Sequence, residues 1–428
     1  MRFSILSIGT ELNLGLILNT NSKFIAELLT DAGLECNYML TVMDNMKDIK
    51  DALKICTEHS DIVIISGGLG PTDDDLTREA VAEFLGCKLV KVDALKRSSL
   101  RFLRYIKNDK VIKNLEKQSF IPEGAKPIKP RIGSAAGFVV KSGNGLIFSI
   151  PGVPREMEDM FRHDVMPRIK DLAGFSIDGN KSASDMVIKK QVMLSTDLSE
   201  SQMEFSIRDI KPVAKQLNVE IGITANPGLI KIMLIARSVS ADECSKNLRI
   251  IEKNIKKVIG EHIYWRGDGA IGDSIKAAIK KSKKNITIST AESITGGLIS
   301  SLITDTPGSS QYFLGSLVSY SSFAKQDILG VDGKLIIAKG AVSRDVCIEM
   351  AKRARKLFNS DFAISATGIA GPTSPEEGKT IGLVYVAITG PDGYEEVYDK
   401  QFIGTRADIK FRTAQFILNR LRLAILKM

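Results

Sequence analysis

At positions 290 to 297 the chain reads Thr290-Ala291-Glu292-Ser293-Ile294-Thr295-Gly296-Gly297. This stretch joins an apolar run, Ile286-Thr287-Ile288, to a helical pattern that starts at Leu298, so it predicts a strand, a tight corner and a helix start. Such a corner directs unpaired backbone N–H groups and the positive end of a helix dipole toward an anion or a developing oxyanion. The paired glycines allow a ligand to approach the backbone closely.

Ser293 has two interpretations. Serine is a preferred helix cap, so the residue could serve only to start the helix, or it could be a nucleophile in the field of that helix. The chain has only three histidines, and none follows Ser293. A nucleophilic serine here therefore needs Lys, Tyr or a carboxylate as its base, unless another domain or subunit supplies one, and Ser–Lys pairs are a known solution.

The segment Tyr320-Ser321-Ser322-Phe323-Ala324-Lys325 supplies both a tyrosine and a lysine. A buried lysine is readily shifted toward a neutral pKa, which suits it as a base. The alternative is a solvated surface lysine, and the spacing alone favours that interpretation.

Three motifs in this order resemble the C-terminal domain of the CinA family: Glu292 to Gly297, Tyr320 to Lys325, and Ala366-Thr367-Gly368-Ile369-Ala370-Gly371-Pro372. In that family the domain is the nicotinamide mononucleotide deamidase module. The resemblance implies hydrolysis of a pyridine carboxamide to a carboxylate and ammonia, with no cofactor.

For this domain we expect Ser293 to attack the carboxamide and Lys325 to accept its proton, directly or through Tyr320. Thr367 would lie beside the nucleophile, and backbone N–H groups of the Ser293 corner and the Gly368 loop would hold the oxyanion. The predicted substrate-binding residues are Glu292, Thr295, Gly296, Gly297, Gly368, Ala370, Gly371, Arg406 and Arg412. The two arginines suit a phosphate, although isolated arginines on a helix are more often surface charges.

The chain departs from the family pattern at three places. Ser316, Ser322 and Ser374-Pro375 stand where glycine, asparagine and a glycine pair are usual. These departures bear on substrate fit and rate more than on the fold.

From Met1 to about Ile169 apolar strands alternate with helices, which predicts an open α/β sheet with helices on both faces. The loops Gly9 to Glu11, Gly67 to Asp75 and Pro151 to Met157 each follow a predicted strand. Ligands of such sheets bind beyond the carboxyl ends of the strands. The Gly67 loop is neither a P-loop nor a dinucleotide fingerprint, but its N–H groups can cradle phosphate.

Three aspartates, Asp73, Asp74 and Asp75, follow this glycine loop. Phosphate beside bare carboxylates is repelled unless a divalent cation lies between them, and hard oxygen ligands favour magnesium. The alternative is that the aspartates cap the next helix, which would need one or two of them rather than three.

The same region resembles the N-terminal domain of the CinA family, which is similar to molybdopterin-binding domains and is associated with ADP-ribose pyrophosphatase activity. The resemblance implies that Asp74 and Asp75 bind the metal ion, and that Glu11 or Glu156 orients the attacking water. The predicted nucleotide-binding residues are Gly9, Thr10, Glu11, Gly67, Gly68, Gly70, Thr72, Thr77, Ser134, Gly137, Gly152, Pro154 and Glu156.

Between the two ends, a polar stretch from Ala173 to Ser182 predicts a linker, and a β-α-β-β-α pattern follows it. That pattern resembles the KH-like domain of the family but lacks the G-x-x-G clamp that KH domains use on RNA. Its basic helix residues, such as Lys246 and Lys253, are typical of a solvated face. We therefore expect a spacer or dimerisation domain rather than a nucleic-acid binder.

Together these patterns predict an α/β protein of three domains: a molybdopterin-binding-like domain at 1–170, a KH-like α+β domain at 180–262 and a deamidase domain at 267–428.

The five widely spaced cysteines form no C-x-x-C pair, which argues against a disulfide framework or a zinc site. The net charge of +9 is diffuse and fits phosphorylated ligands. With no signal pattern and no apolar run of membrane length, we expect a cytoplasmic protein that does not bind membranes. We separately expect a homodimer.

The sequence is also compatible with two other functions. The N-terminal resemblance alone is compatible with a molybdopterin-handling enzyme, and the family name suggests a non-enzymatic partner in competence or DNA damage.

Overall fold

The computed structural model describes residues 1–93, 95, 116–172, 187–373 and 378–428. The predicted linker at 173–182 and the Ser374-Pro375 step lie outside these residues. The chain divides into two compact units, one of Met1–Lys189 with Ser238–Ala241 and one of Lys190–Arg237 with Asp242–Met428. In the described part of the chain no helix is both long and apolar enough to cross a membrane.

The first unit is built on a six-stranded sheet. Its strands are β1 (Arg2–Ile8), β2 (Glu35–Val42), β3 (Ile62–Ser66), β6 (Lys126–Ile128), β7 (Gly137–Ser142) and β8 (Gly145–Ile150), while β4 (Leu89–Lys91) and β5 (Phe120–Pro122) form a separate pair. The order is β2-β1-β3-β8-β7-β6. The strands β2, β1, β3 and β8 are parallel, β7 is antiparallel to β8, and β6 is antiparallel to β7. β3 is buried along its whole length, as its unbroken apolar run predicts.

Helices cover both faces of this sheet, which confirms the predicted doubly covered architecture. They are α1 (Thr10–Asn13), α2 (Thr20–Asp31), α3 (Met46–His59), α4 (Thr77–Phe84), α5 (Pro154–Met160) and α6 (Met166–Leu172), with a π-helical turn at Phe161–Val165 between the last two. Alternate residues of β1 enter opposite cores: Leu6 packs with Leu53 of α3, whereas Ile5 packs with Leu29 of α2. The period of two along a strand produces this division.

The second unit contains a small sheet of β9 (Val187–Ser195), β10 (Val219–Asn226), β11 (Leu229–Ser238) and β12 (Ile263–Arg266), in the order β10-β11-β9-β12. Its helices are α7 (Glu200–Ile207), α8 (Lys211–Gln216) and α9 (Ala241–Ile259). The predicted pattern holds with two differences. The helix predicted after the first strand is present as α7, whereas α8, which has Pro212 in its first turn, and the strand β12 are additional elements.

The same unit holds a five-stranded sheet in the order β14-β13-β15-β16-β17. The strands are β13 (Ile288–Glu292), β14 (Phe313–Val318), β15 (Phe362–Gly368), β16 (Leu383–Thr389) and β17 (Glu395–Gln401), and the helices are α10 (Ile271–Ser282), α11 (Leu298–Thr304), α12 (Gly333–Lys339), α13 (Arg344–Phe358) and α14 (Arg406–Leu426). β13 runs parallel to both of its neighbours, so the carboxyl ends of β13, β14 and β15 meet at one edge.

β14 was not predicted from the sequence. Gly315 and Ser316 interrupt its apolar pattern, and a side chain at Gly315 would collide with the ring of Phe358. The strand therefore depends on close packing against α13 rather than on a local propensity.

Candidate active site

Ser293 directly follows β13, and Lys325 lies beside it. The Ser293 N–H donates to the carbonyl of Ala366 on β15 at 2.9 Å, which extends the strand pairing and places the hydroxyl at the carboxyl edge of the sheet. Lys325 Nζ lies 2.9 Å from Ser293 Oγ, and the two residues are only 2% and 7% exposed. The alternative that Lys325 is a solvated surface lysine is therefore wrong. The Ser293 N–H already donates to the Ala366 carbonyl, so this N–H is not one of the groups of the Ser293 corner that could hold an oxyanion.

Backbone groups position the Lys325 amine. Lys325 lies in a π-helical turn, Ala324–Ile328, and Nζ also donates to the carbonyl oxygens of Ser319 at 3.0 Å and Tyr320 at 3.2 Å, just beyond β14. Such turns are frequent at functional sites. The lysine is thus held against the serine by the carboxyl end of a strand that sequence reasoning missed.

Arg406 connects two of the three sequence motifs. Its guanidinium donates to the Tyr320 hydroxyl at 2.7 Å and to the Gly371 carbonyl at 2.8 Å. The Tyr320 side chain is more than half exposed and interacts with this arginine, while Lys325 contacts Ser293 directly. This contact is the one that the direct proton route requires.

Glu292 has a structural role that the sequence did not predict. Its carboxylate is fully buried and accepts hydrogen bonds from the N–H groups of Gly297 (2.9 Å), Ile299 (3.1 Å) and Ser300 (2.9 Å), and from the Ser300 hydroxyl. These are the donors at the start of α11 that otherwise lack partners. Glu292 rather than Ser293 therefore caps the helix, and a role of Glu292 in substrate binding stays a prediction.

Replacing Glu292 by alanine should destabilise the second unit by about 3 kcal/mol or more, because three buried N–H groups lose their acceptor. The chain has one tryptophan, Trp265, which packs against the core of that unit, so its fluorescence during urea unfolding reports on this unit. Glu292→Gln keeps one acceptor oxygen and should lose less. An unchanged urea midpoint in Glu292→Ala, combined with weaker substrate binding, would support the substrate-binding role.

The corner after Ser293 still presents unused donors. The N–H groups of Ile294, Thr295 and Gly296 donate to no acceptor among the described residues, and the buried Thr295 hydroxyl also lacks a partner there. Gly296 and Gly297 have φ angles of 60° and 95°, a region that favours glycine. These three N–H groups are the donors closest in sequence to the nucleophile.

Lys410 is a residue that sequence reasoning missed. Its Nζ lies 3.6 Å from the position that a Cβ on Gly296 would occupy. It lies one helical turn after Arg406 on α14, so the i,i+4 spacing could have indicated it. Arg412, which was predicted instead, packs its backbone and side chain against Gly228 of the small sheet. No contact among the described residues brings Arg412 to Ser293.

The Gly368 loop contributes packing as well as backbone groups. A Cβ at Gly368 would lie 2.9 Å from the Ile294 side chain and 2.7 Å from the Leu383 carbonyl, so only glycine allows this approach to the corner. The buried Thr367 hydroxyl donates to the Ala341 carbonyl at 3.1 Å. Thr367 therefore supports neighbouring backbone, while its catalytic role stays a prediction, and Ala370 is buried in the core.

The three loops predicted for the first unit line one pocket of about 350 Å³ at the carboxyl ends of β1, β3 and β8. The predicted residues that line it are Gly9, Glu11, Gly67, Gly68, Gly70, Asp74, Asp75, Gly152, Pro154 and Glu156. Two further residues were not predicted. Asn21 Nδ2 donates to the Gly152 carbonyl at 2.8 Å, and Asp44 accepts from the Thr10 N–H at 2.7 Å, so each fastens one of these loops.

Asp75 closes the glycine loop. Its carboxylate accepts from the N–H groups of Gly70 at 2.7 Å and Thr72 at 2.8 Å, and its role as a metal ligand stays a prediction. Asp74 is exposed, and its hydrogen bond with the Thr72 hydroxyl holds the pKa of this carboxyl below its usual range. Across the residues that the structure describes, no three His, Cys, Asp or Glu side chains are grouped to hold a metal ion. A magnesium ion here would have to share Asp74 with substrate phosphates, as magnesium often does.

Three other predicted residues are absent from the lining of this pocket, and two of them, Thr77 and Gly137, support neighbouring structure. The buried Thr77 hydroxyl donates to the Gly67 carbonyl at 2.8 Å, and Gly137 leaves room for the Met160 sulfur. Ser134 is absent from the lining that the structure describes. Glu156 does line the pocket, and partial burial raises the pKa of its carboxyl.

Family models match three segments of the chain. Residues 4–171 match a "Probable molybdopterin binding domain", residues 190–264 the "Damage-inducible protein CinA KH domain", and residues 272–425 the "CinA C-terminal domain".

Relatives match over nearly the whole length. A competence-damage inducible protein of Halothermothrix orenii is 38% identical over 411 residues, covering 96% of this chain and 95% of its own. One of Thermoanaerobacter pseudethanolicus is 37% identical over 424 residues, covering 99% and 98%. A solved CinA structure from Thermoplasma acidophilum, described as of unknown function, is 31% identical with a TM-score of 0.37, covering 39% of this chain and 96% of its own. From the two relatives and the three family models, the chain belongs to the CinA family of competence-damage inducible proteins, and it combines a molybdopterin-binding-like N-terminal domain, a KH-like middle domain and a CinA C-terminal domain.

Proposed function

We propose that the C-terminal site hydrolyses the carboxamide of nicotinamide mononucleotide to nicotinic acid mononucleotide and ammonia. The observation that carries this proposal is the 2.9 Å contact between Ser293 Oγ and Lys325 Nζ, both buried at the carboxyl edge of the sheet. A Ser–Lys pair activates a hydroxyl for acyl transfer without histidine. The resemblance of the three surrounding motifs to the deamidase module supplies the choice of nicotinamide nucleotide.

In this mechanism Ser293 Oγ forms a bond to the carboxamide carbon while the neutral amine of Lys325 takes the hydroxyl proton. The oxyanion is held by N–H groups of Ile294, Thr295 and Gly296, each worth about 3 kcal/mol. Lys325 then gives its proton to the departing nitrogen, and ammonia leaves an acyl ester on Ser293. A water molecule loses a proton to Lys325, attacks the ester carbon, and releases the carboxylate while Ser293 regains its proton.

The cations near the corner suit the phosphate of this substrate. Lys410 Nζ approaches Gly296, whose N–H group has no acceptor in the described structure. Arg406 lies on the same face of α14 and contacts Tyr320 and the Gly371 loop. A phosphate bound here would be held by two charged donors and the backbone, which is the pairing that phosphate recognition favours.

For the N-terminal domain we propose hydrolysis of the ADP-ribose pyrophosphate bond. The pocket of about 350 Å³ brings the glycine loop together with Asp74 and Glu156. Because burial raises the pKa of Glu156, this carboxylate is a stronger base than an exposed glutamate and could orient water. Magnesium held between Asp74 and the substrate would supply neutralisation of phosphoryl charge.

A chelator should separate the two activities. Purified protein is incubated with nicotinamide mononucleotide or with ADP-ribose, each with magnesium or with EDTA, and the products are quantified. We expect equal ammonia release in both media, and a loss of ADP-ribose hydrolysis of about 10²-fold or more with EDTA, because the metal contributes several kcal/mol. Restoring magnesium should restore hydrolysis.

Other outcomes of this experiment, and of binding measurements, would contradict parts of the proposed function. EDTA-resistant ADP-ribose hydrolysis would remove the metal proposal, and EDTA-sensitive ammonia release would contradict the Ser–Lys mechanism. Binding of molybdopterin without ADP-ribose hydrolysis would favour the molybdopterin-handling alternative. Salt-sensitive DNA binding with no turnover of either nucleotide would favour the non-enzymatic alternative.

A further inference from the structure

A groove of about 710 Å³ lies in the second unit, where the turn between β10 and β11 meets the start of α14. This volume is in the range of small-molecule sites. Its apolar wall consists of Pro227, Leu229, Leu298 and Phe411. The mechanism proposed for the Ser293 site uses none of these four side chains.

The groove shares Arg406 and Lys410 with the Ser293 site. Both residues line the groove, and they also contact the catalytic side: Arg406 bonds to Tyr320 and the Gly371 loop, and Lys410 approaches Gly296. Two positive charges therefore stand between the reacting serine and the apolar wall. A ligand that spans both regions would place its negative charge at this boundary.

The wall from the small domain is fixed in position. The buried Thr196 hydroxyl donates to the Gly228 carbonyl at 2.9 Å, and a Cβ at Gly228 would lie 3.1 Å from the Arg412 Cα. Asp197, adjacent in sequence and nearly buried, forms ion pairs with Lys400 at 3.0 Å and Arg420 at 3.2 Å. The small domain is thus held onto β17 and α14 by these contacts.

The composition of the groove indicates what it holds. A mononucleotide ends at its phosphate, so a substrate with its phosphate at Arg406 and Lys410 would leave the apolar wall uncovered. A flat heteroaromatic group attached beyond the phosphate would cover Pro227, Leu229 and Phe411, and stacking of a base on an aromatic ring is favourable whatever the base.

We propose that the groove is a second subsite of the C-terminal domain, which binds the distal nucleoside of a nicotinamide dinucleotide through its base, with the linking pyrophosphate at Arg406 and Lys410. This proposal rests on the proposed function for the position of the nicotinamide end. The small domain then determines which nicotinamide nucleotides bind, in addition to acting as a spacer.

The test is calorimetric binding of nicotinamide adenine dinucleotide and of nicotinamide mononucleotide to the full chain carrying Ser293→Ala, which prevents deamidation, in the presence of EDTA, which stops the metal-dependent hydrolysis proposed for the N-terminal domain. We expect tighter binding of the dinucleotide, and a loss of about tenfold in dinucleotide affinity in Phe411→Ala with little change for the mononucleotide. Pro227→Ala, at the exposed turn, should weaken dinucleotide binding in the same direction. Ile337→Ala, an exposed apolar residue on α12, is the matched control.

Several results would overturn the proposal. Dinucleotide binding that neither Phe411→Ala nor Pro227→Ala weakens would place the dinucleotide elsewhere, such as in the N-terminal pocket. A change in oligomeric state in Phe411→Ala, measured by sedimentation, would assign the wall to contact with a second copy. Unaltered Trp265 fluorescence shows that each variant is folded. If the parent chain does not hydrolyse nicotinamide mononucleotide, the proposed deamidase activity is disproved. Dinucleotide binding that is weakened by Phe411→Ala would still show that the groove is a nucleotide site.

Discussion

Ser293→Ala is expected to lower ammonia release from nicotinamide mononucleotide by about 10⁴-fold or more while leaving ADP-ribose hydrolysis unchanged. Removal of a nucleophile costs this much in serine hydrolases, and the remaining rate comes from oxyanion donors and binding. The corner should keep its structure, because Glu292, not the Ser293 side chain, caps α11. Both reactions are measured on the same preparation.

Ser301→Ala is the matched control for this substitution. Ser301 is exposed on α11, within the same short segment, and its side chain has no role in the proposed chemistry. Equal loss of both activities in Ser293→Ala would indicate a shared site or a folding defect, which Trp265 fluorescence distinguishes. Retention of ammonia release would show that another group attacks the amide.

Lys325→Met is expected to reduce kcat for ammonia release by about 10²- to 10⁴-fold, the usual contribution of a general acid–base group. Methionine keeps an unbranched side chain of similar reach in a buried position but has no proton to exchange. It cannot replace the hydrogen bonds from Nζ to the carbonyl oxygens of Ser319 and Tyr320. Some loss of stability should therefore accompany the loss of rate.

Lys334→Met, on an exposed part of α12, controls for loss of a positive charge. The urea midpoint followed by Trp265 fluorescence separates rate from stability. A folded Lys325→Met variant with a normal kcat would exclude Lys325 as the base, and Tyr320 or another group would then have to accept the proton.

Much of the architecture could be predicted because its determinants are local in sequence. The buried run at β3 and the apolar stripe of α13, with Val346, Met350 and Ala354 in one core, follow from periodicity alone. β14 could not be predicted in this way, because Gly315 and Ser316 give it no apolar period. Its existence depends on pairing with β13 and on contact with Phe358.

The same distinction, between determinants that are local in sequence and those that depend on tertiary contacts, applies to the candidate sites. Glycine-rich turns after apolar strands indicated the Ser293 corner and the pocket of the N-terminal domain. The contacts of individual side chains could not be predicted, because carboxylates and hydroxyls bind whichever donors and acceptors burial leaves unpaired. Glu292 and Asp75 illustrate this: both accept from backbone N–H groups of their own loops, although their positions suggested ligand binding.

The sequence by itself determined the α/β class, the order of the domains and the glycine loops at the carboxyl ends of the strands, since apolar period and glycine spacing act over a few residues. Only the tertiary structure decided that Lys325 reaches Ser293, because that 2.9 Å contact depends on β14 lying beside β13 and delivering the π-helical turn to the same edge. The tertiary structure likewise placed Lys410, rather than Arg412, beside Gly296. The direction in which each residue of α14 points depends on how the whole helix packs against the sheet, and no short stretch of sequence contains that information.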